Sequence, residues 1–309
     1  MATLKELAAR AEEKGELLSG GHRSCLGCAH PIIIRQTLLA AKEPVVVGCV
    51  TGCLEVTTTI FPYTAWRVPF IHSAFENSAA TVSGIEAAYR ALKKQGKYDK
   101  EVKFIAMGGD GGTYDIGFQS LSGAAERGHR MLYLCLDNEA YMNTGIQRSS
   151  ATPKGAHTTT APAGKVILGK QQHRKDLTAC MVAHRIPYVA QTIAGNWKDL
   201  TNKVEKALAT DGPSFINVFS PCPTGWGYKP ELTLEIGQLA VDTCFWPLYE
   251  VEDGKWKVNY RPKEKKPLVE WLKLQTRFAH LFKSPNREEF MAELQERVDR
   301  DWEGLLAQG

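Results

Sequence analysis

The sequence predicts an α/β protein: a mostly parallel sheet with helices on both faces, extended by a C-terminal hairpin and a helical tail. Three observations predict it. The apolar runs Pro44–Gly48, Val102–Met107, Met131–Leu136, Tyr188–Gln191 and Pro213–Phe219 have the length of strands and are apolar on both faces, as in buried parallel sheets. Longer helix-patterned segments lie between them, notably 75–94, 175–184 and 197–210, and alternation of strand with helix is the signature of parallel architecture. Beyond Trp246 the pattern changes. The stretch PLYEVEDGKWKVNY reads as a hairpin turning at Asp253-Gly254, followed by two charged helical segments, 267–282 and 287–306. The chain therefore divides into an N-terminal helix (1–20), a main domain (21–245) and an extension (246–309) suited to contacting another subunit.

At 309 residues the chain can bury a full α/β core. Its net charge of +4 is small for this length and gives no argument for nucleic acid. No apolar run reaches membrane-spanning length, and MATLKELAARAEEKGELL is a charged amphipathic helix rather than a signal peptide. A cytoplasmic protein is expected. Its eight cysteines then point to metal ligation or free thiols rather than to disulfides.

In chain order, a surface helix over 3–18 ends at Ser19-Gly20-Gly21, and a loop carrying Cys25-x-x-Cys28 enters a helix at Pro31, which suits a first turn. The strand from Pro44 runs into Cys49-Val-Thr-Gly-Cys53. The helix 75–94 is rich in Ala, Gly and Ser, a composition that permits close packing against the sheet. The strand from Val102 breaks at Gly108-Gly109-Asp110-Gly111-Gly112 and continues as a small-residue helix to Ala125. The strand from Met131 ends in Asp137-Asn138.

Two parallel strands joined by a helix place Asp110 and Asn138 side by side at the carboxyl edge of the sheet, where open α/β folds bind ligands. Glycines let backbone N–H groups crowd round an anion, while Asp110 and the Asn138 amide oxygen are hard ligands suited to Mg²⁺. Together they describe a metal–diphosphate site. Downstream, residues 139–145 are too polar for a strand, and the Ser/Thr/Gly/Pro-rich run 148–165 reads as a loop covering the site.

The cysteines divide by context. Cys135, Cys180 and Cys244 sit in apolar surroundings and behave as small hydrophobes. Cys25, Cys28, Cys53 and Cys222, the last following the strand that ends at Phe219, can gather at one sheet edge. Four thiolates there can hold Zn²⁺ or a [4Fe–4S] cluster, and their chemistry alone does not separate the two.

The GDG…N pattern, continued by DNEAYMNTGIQRSSATPKGA, resembles thiamine-diphosphate enzymes and, within them, the β subunit of the 2-oxoacid:ferredoxin oxidoreductases, the pyruvate:ferredoxin and oxalate oxidoreductase family. The likeness runs from about Gly21 to the PLYEV segment. It implies a thiamine-diphosphate-binding fold in which Gly109, Asp110, Gly111, Gly112, Asn138, Ala140, Asn143 and Thr144 meet the cofactor. Asp110, Asn138 and the Ala140 carbonyl would bind Mg²⁺, and Asn143 would also have a catalytic role. It implies further that Cys25, Cys28, Cys53 and Cys222 hold a [4Fe–4S] cluster, with Cys53 beside the cofactor and Cys49 spare.

The same resemblance implies partners: a pyrimidine-binding α subunit, a further iron–sulfur subunit, and ferredoxin as electron acceptor, since no second cluster motif is present here. The substrate is a small 2-oxo acid, either pyruvate with coenzyme A or oxalate yielding CO₂. His30, in Cys28-Ala29-His30-Pro31, departs from many members of the family. It is expected near the thiamine as a catalytic or cofactor-contacting residue, cationic near neutral pH and able to attract a second carboxylate. Two competing readings are a thiamine-dependent decarboxylase or synthase without iron, and a zinc-stapled structural subunit.

Overall fold

The computed structural model describes residues 3–309. Among them, strands β1 (Val45–Val50), β2 (Phe70–Ser73), β3 (Lys103–Gly109), β4 (Leu132–Asp137), β5 (Tyr188–Ile193), β6 (Ser214–Phe219), β7 (Tyr249–Glu252) and β8 (Lys255–Val258) form one sheet. Its order is β2-β1-β3-β4-β6-β5-β7-β8. The first six strands are mutually parallel, and β7 and β8 add an antiparallel hairpin at one edge. That hairpin turns where expected, with Asp253 and Gly254 both at positive φ. Five of the parallel strands were legible as apolar runs. The sixth, β2, is four residues long, lies at the edge and exposes Ile71 and His72, so it carries no buried-strand signal.

Period-two alternation sorts each strand between two helical layers. Ile105, Met107, Leu132, Leu134 and Leu136 face one core with Ile33, Leu38, Leu200 and Val204, contributed by α1 (His30–Ala40) and α2 (Trp197–Ala209). Phe104, Ala106, Tyr133 and Cys135 face the other, with Val82, Leu121 and Met181. A third cluster, dominated by Trp226, Trp246, Trp271, Phe219 and Phe278, joins the end of β6 to the C-terminal segment. Burying each large aliphatic side chain stabilises by about 1.5–3 kcal/mol, which fixes register wherever both faces are covered.

Two segments differ from expectation, and to a third, residues 53–58, the sequence pattern assigns no element. The first helix ends at Lys14 rather than 18, because Gly15 turns to φ 65° and its N–H bonds to Ala11. Residues 53–58 form a short helix despite their β-branched composition. The hydroxyls of Thr57, Thr58 and Thr59 bond back to the carbonyls of Cys53, Leu54 and Glu55. The single helix expected over 267–282 is Leu268–Leu272 followed by two 3₁₀ turns, since Gln275 becomes extended and its side chain caps the Trp271 carbonyl. The extension packs onto its own chain: Leu305 and Trp302 of the last helix, Arg287–Leu306, join the core beneath β5 and β7.

Strand order reverses at β1, since β2 lies on one side of it and β3 on the other. In open α/β sheets the crevice at such a reversal binds the ligand.

Candidate functional site

The crevice is lined by Thr51, Gly52 and Cys53 after β1, by Gly108 to Gly112 after β3 except Asp110, and by Asn138 and Ala140 to Thr144 after β4. Of the residues expected there, Gly109, Gly111, Gly112, Asn138, Ala140, Asn143, Thr144, Cys53 and His30 all line it. Asp110 is fully buried behind them. At Gly109 an added Cβ would meet only the Leu136 carbonyl, at 4.0 Å; at Gly111 it would meet the Tyr141 ring at 2.5 Å. After Asp110 the chain enters not an α-helix but a wider π turn, Gly111–Ile116, and only then the helix Phe118–Glu126. Such turns concentrate at functional sites.

Pairing of Gly109 with Leu136 brings the ends of β3 and β4 level. The Asn138 N–H accordingly donates to Asp110 Oδ1 at 3.2 Å, and Ser149 Oγ donates to Asp110 Oδ2 at 2.5 Å. The Asn138 side-chain oxygen lies 2.9 Å from Asp110 Oδ1 and 2.8 Å from the Ala140 carbonyl, with no proton among the three; only with the amide turned over would its nitrogen donate to both. Three oxygens round one point are the donor set of a hard divalent cation. The residue between Asn138 and Ala140, Glu139, makes this possible. It is left-handed at φ 65°, a conformation that costs a side-chain-bearing residue roughly 1–2 kcal/mol.

Three carboxylates meet here. Asp110, Asp137 and Glu139 are all fully buried, and burial pushes each above the ordinary carboxylate range. Asp137 is answered by Arg174 at 2.7 Å and Tyr114 at 2.5 Å, and Glu139 by Arg277 at 2.5 Å. Among the described residues Asp110 has hydrogen-bond donors but no cationic side chain within ion-pair distance. The site is one positive charge short, which a bound cation would supply.

The four expected cysteines, Cys25, Cys28, Cys53 and Cys222, line a second cavity of about 210 Å³. Burial raises the Cys28 and Cys53 thiols to about 12, and raises Cys222 as well. Among the described residues no three His, Cys, Asp or Glu side chains are arranged to hold a metal ion. Cys222 Sγ accepts the Gly225 N–H at 3.3 Å, and Cys49 is buried in the core behind the loop. His30, Cys53, Asn138, Met142 and Asn143 line both cavities, so the two share a wall.

The structure corrects the expected charge of His30. It is 4% exposed, its Nδ1 has no partner, and burial lowers its pKa to about 4, so the imidazole is neutral at physiological pH. Several participants carried no usable signal. Ser149 sits in the covering loop and was readable only as part of a polar run, whereas Arg174 and Arg277 lie 37 and 138 residues from their acidic partners. Only the fold brings them in.

Residues 46–218 match the model of the thiamine pyrophosphate enzyme C-terminal TPP binding domain. The chain is 53% identical to pyruvate synthase subunit PorB of Thermotoga maritima, over 98% of this chain and 95% of that protein. It is 57% identical to the subunit of the same name from Methanocaldococcus jannaschii, over 86% of this chain and 90% of that one. A solved 2-oxoglutarate:ferredoxin oxidoreductase from Magnetococcus marinus shares the fold at TM-score 0.55 and 24% identity, over 67% of each chain. Among the described residues no helix is long and apolar enough to cross a membrane. With a thiamine-diphosphate domain spanning the sheet and kinship along nearly its whole length, the chain belongs to the β subunits of the 2-oxoacid:ferredoxin oxidoreductases.

Proposed function

We propose that this subunit holds the diphosphate half of thiamine diphosphate through Mg²⁺ and takes up electrons on a [4Fe–4S] cluster during oxidative decarboxylation of pyruvate in the presence of coenzyme A. The observation that carries the reading is the shared wall between the oxygen-lined crevice and the four-thiol cavity. Thiamine diphosphate, when bound, supplies the carbanion chemistry by which a 2-oxo acid loses CO₂.

The chain's own residues then have distinct tasks. Asp110, Asn138 and the Ala140 carbonyl hold the cation, Ser149 keeps Asp110 oriented, and the backbone N–H groups of Gly109, Gly111 and Gly112 are offered to the diphosphate, Gly111 and Gly112 also letting Tyr141 and Phe75 close on the turn. Asn143 and Thr144, exposed at the mouth, face phosphate or substrate. His30, neutral and buried, acts as part of the wall beside the cofactor rather than as a charge for a second carboxylate. That removes the physical argument for oxalate, and the names of the similar proteins favour pyruvate.

Kinship rather than cysteine geometry favours a cluster over zinc. A single Zn²⁺ and an iron–sulfur cluster both take four thiolates, and these four line one cavity. A subunit of a ferredoxin oxidoreductase has electrons to pass on, and an iron–sulfur cluster can accept them where redox-inert Zn²⁺ cannot. The pyrimidine-binding domain, further clusters and the ferredoxin contact would come from partner subunits, in a cytoplasmic and anaerobic setting.

Iron and sulfide analysis of the anaerobically purified complex tests the cluster. Cys53→Ser should lose or convert it while leaving the protein folded; zinc without iron in the wild type would refute it. Turnover of pyruvate, oxalate and 2-oxoglutarate, each with and without coenzyme A, tests the substrate. Oxalate turnover without coenzyme A would overturn that choice.

A further inference from the structure

Outside the main domain, residues 275–278 reach into the middle of the site. The Thr276 N–H donates to the Gly227 carbonyl at 3.2 Å, and the Arg277 carbonyl accepts the His157 N–H at 2.9 Å. Gly227 makes this approach possible: a Cβ there would lie 1.8 Å from Thr276 Oγ1. The Arg277 side chain, 5% exposed, bonds Glu139 and is steadied by Gln275 at 2.8 Å. Its guanidinium lies over the Trp226 ring, 4.0 Å from the centroid. Trp226 in turn donates its indole N–H to the Asn138 carbonyl at 2.9 Å. Two consecutive residues of the ligand loop are thus gripped from outside, Asn138 by its backbone and Glu139 by its carboxylate.

The grip falls where the backbone is least content. Left-handed Glu139 is the turn that lets the Asn138 amide and the Ala140 carbonyl face one point, and a free loop would relax it. Burial of both Glu139 and Arg277 means that neither charge can leave without stranding the other. The Glu139 carbonyl is also held, accepting from Thr152 Oγ1 at 2.6 Å.

We propose that Arg277 and Trp226 are positioning residues for the cation–diphosphate site: by pinning Glu139 and the Asn138 carbonyl they keep the Asn138 and Ala140 oxygens preorganised for the metal. Neither lines the crevice itself. The inference rests on the Mg²⁺ reading above, and the experiment separates the two.

Mg²⁺ is titrated calorimetrically into the cofactor-stripped complex in the presence of thiamine diphosphate, and melting is recorded alongside. The double variant Glu139→Met/Arg277→Met replaces both charges with apolar side chains of similar volume, so no buried ion is left unpaired, no large cavity opens and a merely structural pair would be dispensable. It should melt close to the wild type yet bind Mg²⁺ roughly tenfold more weakly or worse, the cost of lost preorganisation. Trp226→Phe keeps an aromatic face but removes the pyrrole part of the indole with its N–H, and should weaken Mg²⁺ by roughly three- to tenfold. Wild-type Mg²⁺ affinity in the double variant overturns the inference. If the double variant fails to assemble, Trp226→Phe decides, and unchanged affinity there overturns it. Asp110→Asn is the control: Mg²⁺-dependent cofactor binding that survives it removes the site itself, whereas loss in Asp110→Asn with normal affinity in both other variants defeats the positioning role alone.

Discussion

Glu250, at the hairpin edge of the sheet, and Asp110, at the carboxyl end of β3, are both buried carboxylates with opposite fates. Glu250 receives Tyr188, Lys206, Lys257 and Asn259 at 2.8–3.1 Å. Burial pushes its pKa up, but the bonds from Lys206, Asn259, Tyr188 and Lys257 outweigh it and hold the group at about 2. Asp110 has two hydroxyl or backbone donors and two acidic neighbours, so burial wins and its pKa rises. The difference teaches how to tell a structural carboxylate from a binding one. Where the chain itself completes the charge balance the group is finished; where it stops one cation short, the missing partner comes from outside.

The strongest way to break the comparison is Asp110→Asn. Outer-shell partners of a metal are commonly worth roughly 10–100-fold in affinity, so loss of a charged ligand should cost at least that and leave the purified complex without cofactor. The cofactor-free variant should nevertheless melt at or above the wild-type temperature, because a buried unpaired carboxylate has gone. Cofactor content and melting measured together check both halves. A variant less stable than the wild type without cofactor would place Asp110 in the same class as Glu250.

Glu250 should show the reverse behaviour in acid. A carboxyl whose folded pKa is depressed contributes stability that is complete above its unfolded value, near 4.5, and fades as pH falls through about 2. Denaturant midpoints between pH 5 and pH 2 should decline for the wild type. In Glu250→Gln the midpoint should start lower at pH 5 and decline less. Parallel curves would mean that the network around Glu250 adds nothing to stability.

The smallest effect calibrates the other two. Cys135 lies fully buried on β4 between the two regions, with its thiol among apolar neighbours. Cys135→Ala should cost about 1 kcal/mol, read from the denaturant midpoint, and leave iron content unchanged.

Legibility in the sequence followed the range of the interactions. β1, β3, β4, β5 and β6 announce themselves because their residues are buried on both faces, and the hairpin because Asp-Gly dictates its turn. Gly109 to Gly112 with Asn138 could be placed at the carboxyl edge of the sheet because each stands at a strand end, a position local pattern can fix. The same logic misassigned the His30 charge: sequence gives a neighbour's identity but not its burial, and burial decides the protonation state. The Arg174–Asp137 and Arg277–Glu139 pairs were invisible for the complementary reason, since long-range packing alone selects which arginine meets which acid.

The two edges of the sheet have a consequence for the subunit before it meets its partners. At one end β2 offers only four residues, and at the other β8 is four residues long and points Lys255 and Lys257 outward. Short and lysine-bearing edges are poor templates for a strand from another chain. A newly made copy can therefore wait in a crowded, unassembled pool without zipping onto its neighbours, and assembly is left to side-chain surfaces, which can discriminate among partners where a bare backbone cannot.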